Sequence, residues 1–188
     1  MPDELLLKGG TLVTAADTSQ ADLLVRDGRI AGVGRDLVTD GETVDLRGRL
    51  VLPGAIDTHV HLAHSIDRLG IVTADDFHSG TVAAACGGVT TIIDFAVQHR
   101  GESLEEAVVR RLPAAEGQAV VDFGLHVIVT DVRDDVLDEI PKIVRLGCPS
   151  LKIYMTYSDK VVDDGGLLRV LERTAEHGGL VYVHCEND

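Results

Sequence analysis

The sequence predicts an α/β chain: a short all-β stretch over residues 1–52, then a partial parallel (β/α) barrel of about five βα units over residues 53–188. Three observations predict it. From Pro53-Gly54 onward, apolar β-branched runs alternate with helical stretches, each pair taking about 30 residues, the size of a βαβ unit. Hydrophobic residues make up 45% of the 188 while aromatics are 3% and Trp is absent. The core is therefore Val, Leu, Ile and Ala, which suits strands buried on both faces. Finally, His and Lys residues recur where these strands end, and parallel barrels collect their chemistry at the C-terminal ends of their strands.

The elements follow in order. Leu5-Leu6-Leu7, Thr11-Leu12-Val13, Leu23-Leu24-Val25, Ile30 to Val33 and Thr43 to Leu46 are strand candidates separated by Gly9-Gly10, Asp27-Gly28 and Asp40-Gly41. Asp27-Gly28 between two apolar runs signals a hairpin, and the segment reads as a small antiparallel β unit. Residues 54–61 are the first barrel strand. A helix is expected over 74–87, capped by Thr73 or Asp75 and stopped at Gly87-Gly88. Val89 to Phe95 is the second strand. A helix over 103–117 starts at Ser103, with Glu106 completing a capping box. Val120 to Thr130 holds the third strand, 133–146 a helix ending at Gly147, and Leu151 to Met155 the fourth strand. A helix over 164–177 stops at Gly178-Gly179, and Leu180 to His184 is the fifth strand. A full eight-fold barrel takes about 250 residues. A finished five-stranded sheet would normally carry a covering helix after its last strand, so the chain reads as the N-terminal half of a larger TIM-type barrel, with open edges at its first and fifth strands.

Charge narrows the function. With 31 acidic against 17 basic residues, the net charge is −14. Nucleic acid and anionic membrane surfaces both require a basic face, so neither is expected as a partner. Cys86, Cys148 and Cys185 are scattered and odd in number, which reads as free thiols in a reducing cytoplasm. The start, Met1-Pro2-Asp3-Glu4-Leu5, has no basic, apolar leader pattern, and no window approaches the ~18 apolar residues of a membrane span.

The chemistry begins at Asp57-Thr58-His59-Val60-His61. In a strand these alternate faces, so Asp57, His59 and His61 share one face and the two imidazoles can reach one metal ion. The plainer reading is two hydrogen-bonded core histidines. Lys152, between Leu151 and Ile153, is the oddity of the fourth strand. A buried ammonium is costly unless paired or neutralised. It either snorkels to the rim or is a desolvated amine of lowered pKa, able to react with carbon dioxide and bridge two cations as a carbamate. His184 closes the fifth strand, as a ligand or a capped core histidine. Its neighbour Cys185 falls on the opposite face by alternation. Tyr157 lies just past the fourth strand, an oxyanion stabiliser or a surface tyrosine. His64, His78, His99, His126 and His177 read as structural or polar histidines, with His64 the one to watch because it closely follows the pair.

Together these residues resemble the metal-dependent cyclic amidohydrolases, most closely the dihydropyrimidinase and D-hydantoinase family. The matching stretches are Pro53 to His61, Thr73-Ala74-Asp75-Asp76-Phe77, Gly87 to Phe95, Ser150 to Tyr157 and His184-Cys185-Glu186-Asn187. The resemblance implies that residues 1–52 are part of a small β-sandwich. It implies two divalent ions, zinc by preference, with His59 and His61 on the more buried ion, His184 on the second and carbamylated Lys152 bridging both. Tyr157 would polarise the carbonyl of a small cyclic amide or imide. A bridging hydroxide would open the ring to an N-carbamoyl amino acid.

Dihydroorotases and allantoinases are similar too. Dihydroorotase-like enzymes place an Arg shortly after the His pair, whereas here Leu62-Ala63-His64-Ser65 follows, with Arg68 further on. The loop Leu62 to Val72 also lacks the Pro-Phe pattern usual in hydantoinases, which leaves the substrate open. A fourth His ligand and the catalytic Asp would lie beyond residue 188. The chain alone is then expected to be inactive and to pair with a C-terminal half or with itself, the complete enzyme being a homo-oligomer. A non-catalytic assembly relative and an inactive truncation are the competing readings.

Overall fold

The computed structural model describes residues 4–66 and 69–186. Met1 to Asp3 at the start, and Arg68 and Asn187 of the motif comparison, lie outside the described residues. Two compact units meet between Gly54 and Ala55.

In the first unit, β1 (Glu4–Val13) pairs antiparallel with β2 (Thr18–Arg26), and β2 with β3 (Arg29–Gly34). Asp27 and Gly28 join β2 to β3 with φ of 50° and 72°, the two left-handed residues of a tight hairpin turn. The sequence splits Leu5-Leu6-Leu7 from Thr11-Leu12-Val13, but the structure runs them together. The register shifts between Leu7 and Gly10, where Gly9 adopts φ 74° and Asp22 accepts its N–H at 2.8 Å. The glycines thus make a bulge inside one strand. The unit is also mixed rather than antiparallel: β4 (Glu42–Asp45) and β5 (Leu50–Val51) both lie parallel to β1.

The second unit is a parallel sheet in the order β12 (Leu180–His184), β11 (Ser150–Tyr154), β10 (Asp122–Ile128), β9 (Val89–Val97), β6 (Ala55–Asp57). The crossovers run through α1 (Phe77–Cys86), α2 (Leu104–Ala115), α3 (Asp134–Leu137), α4 (Ile140–Arg145) and α5 (Asp164–Glu176). One face of β10 and β11 supplies Leu125, Val127, Leu151 and Ile153 to a buried core shared with Leu104, Val108, Ile140, Ile143 and Val170 of the helices. The alternate residues, Phe95, His126, Ile128 and Lys152, fill the opposite face.

Several boundaries differ from the sequence reading, each for a local reason. The first strand of the parallel sheet ends at Asp57, not residue 61. Asp57 turns its carboxylate to the His59 N–H at 3.1 Å, which stops the ladder, although Val60 N–H still reaches the Ile93 carbonyl at 3.2 Å. His59 and His61 therefore sit beyond the strand. Helix α1 starts later than expected because Asp76, neither Thr73 nor Asp75, is its cap: Asp76 accepts from Ser79 N–H at 2.7 Å, and Ser79 completes the capping box. The helix expected over 133–146 is two short ones. Pro141 has no N–H to give a preceding turn and instead sits at the start of α4. The segment after Ala63 holds an unforeseen hairpin of β7 (Ser65–Ile66) and β8 (Ile71–Val72). Strand β12 ends at His184, so alternation does not govern Cys185, which is exposed.

Helix α2 is capped as its sequence predicts, with Ser103 Oγ accepting from Glu106 N–H at 3.0 Å and Glu106 accepting from Ser103 N–H at 2.9 Å. Ser103→Ala should cost about 1 kcal/mol of stability, and Ser103→Asp should retain most of it. A urea titration in which both variants match the parent would show that the box does not hold the helix.

Candidate functional site

Phe95 is the floor of the site. It sits in β9 at 1% exposure, and the rings of His59 and His61 lie 4.8 and 4.7 Å from its own, centroid to centroid. The two imidazoles are 5.2 Å apart, and His64 stands 4.9 Å from His61 on its other side. The stretch after the pair is well held. Ala63, at φ 43°, donates its N–H to the Asp75 carbonyl at 2.7 Å, and His64 N–H goes to Thr73 Oγ1 at 2.9 Å.

His126, which the sequence reading leaves as a structural histidine, braces the segment before the pair. It is buried in β10 with Nε2 2.8 Å from the Thr58 carbonyl and Nδ1 against Ser150 Oγ. That carbonyl can only accept, so the hydrogen-bond network assigns the proton to Nε2. Its ring also meets Phe95 at 5.0 Å and Tyr182 at 4.7 Å.

Lys152 faces the same side of the sheet at 6% exposure. Among the described residues no carboxylate pairs with it. The ring of Tyr154 lies 5.0 Å from Nζ. Burial lowers the pKa of its ammonium, opposed in part by the charge of Cys185. Cys185 thus lies within electrostatic reach of the lysine, which alternation did not anticipate. His184 ends β12 opposite Tyr154 in the parallel register, with its ring 5.5 Å from Tyr154 and 5.3 Å from Tyr157, and Nε2 2.8 Å from Glu186. Tyr157 adopts φ 69°, a conformation unfavourable for a bulky side chain, of the kind that concentrates where structure serves function.

The structure thus forms two groups on one rim: His59 with His61, and Tyr154 with Lys152, Tyr157 and His184. Lys152 lies within electrostatic reach of His61. No ring contact joins His184 to the pair, and no three His, Cys, Asp or Glu side chains converge as a ready metal cage among the described residues. The donors nevertheless suit a cation. His61 Nδ1 is buried and has no hydrogen-bond partner. Such an orphan costs about 1–3 kcal/mol, a cost a bound cation would offset. Burial above all, with smaller contributions from His64, His59, Arg111 and Lys152 nearby, lowers the His61 pKa to about 4, so its imidazole is neutral, the ligating form.

Behind the pair stands a charged cluster that the sequence reading passed over. Asp94 lies wholly buried in β9 and forms an ion pair with Arg111 of α2. Burial pushes the Asp94 carboxyl above its ordinary range, and the Arg111 guanidinium opposes that. A carboxylate inside Ile92-Ile93-Asp94-Phe95 was the available signal, because a buried charge demands a partner. The partner itself emerges only when α2 docks.

The amidohydrolase family model matches residues 50–188. The chain is similar to the D-hydantoinase of Geobacillus stearothermophilus, at 48% identity over 185 residues, covering 97% of this chain and 39% of that protein. It is 39% identical over 193 residues to the dihydropyrimidinase of Rattus norvegicus, covering 98% and 37%. Among solved structures, a D-hydantoinase superposes with a TM-score of 0.92 at 45% identity, and the dihydropyrimidinase of Brevibacillus agri with 0.93 at 43%. Each comparison covers 98% of this chain and 40% of the solved one. The resemblance drawn from the motifs is borne out. The chain spans about two fifths of the length of the relatives it matches.

Burial also lowers the pKa of His126. His61 and His126 titrate near 6.5 when unfolded and lower when folded, so below pH 6.5 the unfolded chain binds more protons. Stability is full above pH 6.5 and falls as the pH drops below it. In chelator, the urea midpoint of the chain should decline from pH 7 to pH 5, less steeply in His126→Gln. A flat midpoint across that range would contradict the buried, neutral state of both rings.

Proposed function

The chain belongs to the amidohydrolase family, and on that premise we propose that the complete protein is a metal-dependent hydrolase opening cyclic amide and imide rings of the hydantoin and dihydropyrimidine type. The observation that carries this reading is the buried, partnerless Nδ1 of His61, held beside His59 on the rim that Lys152 also faces. We assign residues up to Gly54 to a small β-sandwich and those from Ala55 to the first half of a TIM-type barrel.

His59 and His61 would hold one divalent cation, zinc by preference, and His184 a second. Lys152 suits the bridging role because its burial favours the neutral amine. That nitrogen adds carbon dioxide, sheds a proton and becomes a carbamate with two oxygen donors. Bound cations at such a site supply Lewis acidity and an activated water. Tyr157 donates its hydroxyl to the substrate carbonyl oxygen as negative charge develops there. His126 keeps the Thr58 carbonyl in place and, through it, the start of the His pair. The remaining ligand and the general base belong to the part of the protein that corresponds to the rest of its relatives' length. A homo-oligomer and a cytoplasmic setting complete the proposal, the latter supported by three free cysteines.

The test is hydrolysis of hydantoin and dihydrouracil by the full-length protein, together with metal analysis. About two divalent ions per site are expected, with chelation abolishing turnover. Lys152→Ala should lose the metal and the activity together. Tyr157→Phe should keep its metal while kcat falls by about 10²–10³-fold. Ring opening undiminished in a metal-free preparation would refute the proposal.

A further inference from the structure

Arg111 is placed where no helix surface residue needs to be. It projects from α2 with its side chain 14% exposed and stacks its guanidinium on the ring of Phe77, the first residue of α1, at 4.8 Å. Its Nε donates to Asp94 Oδ2 at 2.8 Å, and its terminal nitrogens reach the same carboxylate, the Leu62 carbonyl and, at 3.4 Å, the Ala63 carbonyl. Leu62 and Ala63 are the two residues that follow His61. The other Asp94 oxygen accepts the Leu62 N–H at 3.2 Å. One ion pair therefore grips the backbone after His61 by both its donors and its acceptors. The residue after Asp94 is Phe95, the floor under both imidazoles. By strand alternation Asp94 faces α2 while Phe95 faces the site. The same short stretch of β9 thus fixes the pair from below and from behind.

We infer that Arg111 is a positioning residue: with Asp94 it locks the Leu62–Ala63 backbone so that His59 and His61 are held ready as ligands before any cation arrives. The inference rests on the metal reading above but adds to it a support lying outside the ligand set. Arginine suits the task and lysine does not, because only the planar fork can serve a carboxylate and two carbonyls together. Removing the guanidinium outright would also strand a buried carboxylate and endanger the fold. Arg111→Lys, which keeps the charge beside Asp94, is therefore the informative change.

The experiment uses the full-length protein and Arg111→Lys, both stripped of metal, in two measurements. The first is backbone amide hydrogen exchange followed by peptide. Exchange over residues 58–66 should accelerate by about tenfold or more in the variant, with the peptides of β10 and β11 unchanged. The second is zinc affinity by chelator competition, which should weaken by about 10–100-fold, the usual consequence of loosening the groups that orient metal ligands. Cobalt substitution should then give an altered visible spectrum. Exchange in the 58–66 peptide equal to the parent's would overturn the inference, whatever the metal data show. Faster exchange with parental zinc affinity would overturn the positioning role as well. If the parent protein itself takes up no zinc, the metal reading fails, and the exchange result alone decides whether Arg111 holds the segment.

Discussion

The strict alternation of β9 to β12 between two faces is the constraint on which everything else rests. On one face Leu125, Val127, Leu151 and Ile153 meet the helices and exclude water. On the other, at the positions between them, Phe95, His126 and Lys152 line the side that carries the polar groups. A shift of one residue in the pairing of β10 with β11 would exchange these sets, driving Lys152 among the helices and Leu151 onto the rim. The hydrophobic core therefore fixes the register, and the register decides which side chains reach the candidate site. The core residues and the candidate site residues are neighbours in sequence yet lie on opposite faces of the sheet.

How much of this could be read beforehand differs between parts of the chain. The βα rhythm was legible because Val89 to Phe95, Leu151 to Met155 and Leu180 to His184 are largely apolar runs, each preceded by a glycine turn, at Gly87-Gly88, Gly147 and Gly178-Gly179. The Ser103–Glu106 capping box was legible because capping is local. What failed was decided by single side chains acting on backbone. Asp57 ends a strand that its apolar lead-in would have continued, and Pro141 divides a helix that its periodicity would have joined. In the first unit, Leu46 and Val51 stand close to Gly10, and both β4 and β5 run parallel to β1. Pairing between segments so far apart in sequence leaves no local mark.

The candidate site shows the same division. His59, His61, Lys152, Tyr157 and His184 stood out because each is a polar residue attached to an apolar run. His126 did not, because a histidine within a strand has many ordinary uses. Its contact with the Thr58 carbonyl depends on a register that only the folded sheet supplies. Asp94 and Arg111 were each visible, but their union needs α2 laid across β9. Burial then adds what pattern cannot: it is the chief reason the His61 ring gives up its proton and stays neutral.

The parallel order of the second unit also bears on how the molecule assembles. Ala55 must find Val89, and Ser150 must find Leu180, each across an intervening helix. No hairpin shortcut exists, so chain closure precedes the reward of contact and folding is intrinsically slow. During that delay the half-formed strands offer unsatisfied amides and carbonyls to other copies. The acidic excess of the chain works against such encounters: mutual repulsion between nascent molecules gives the slow topology time to complete.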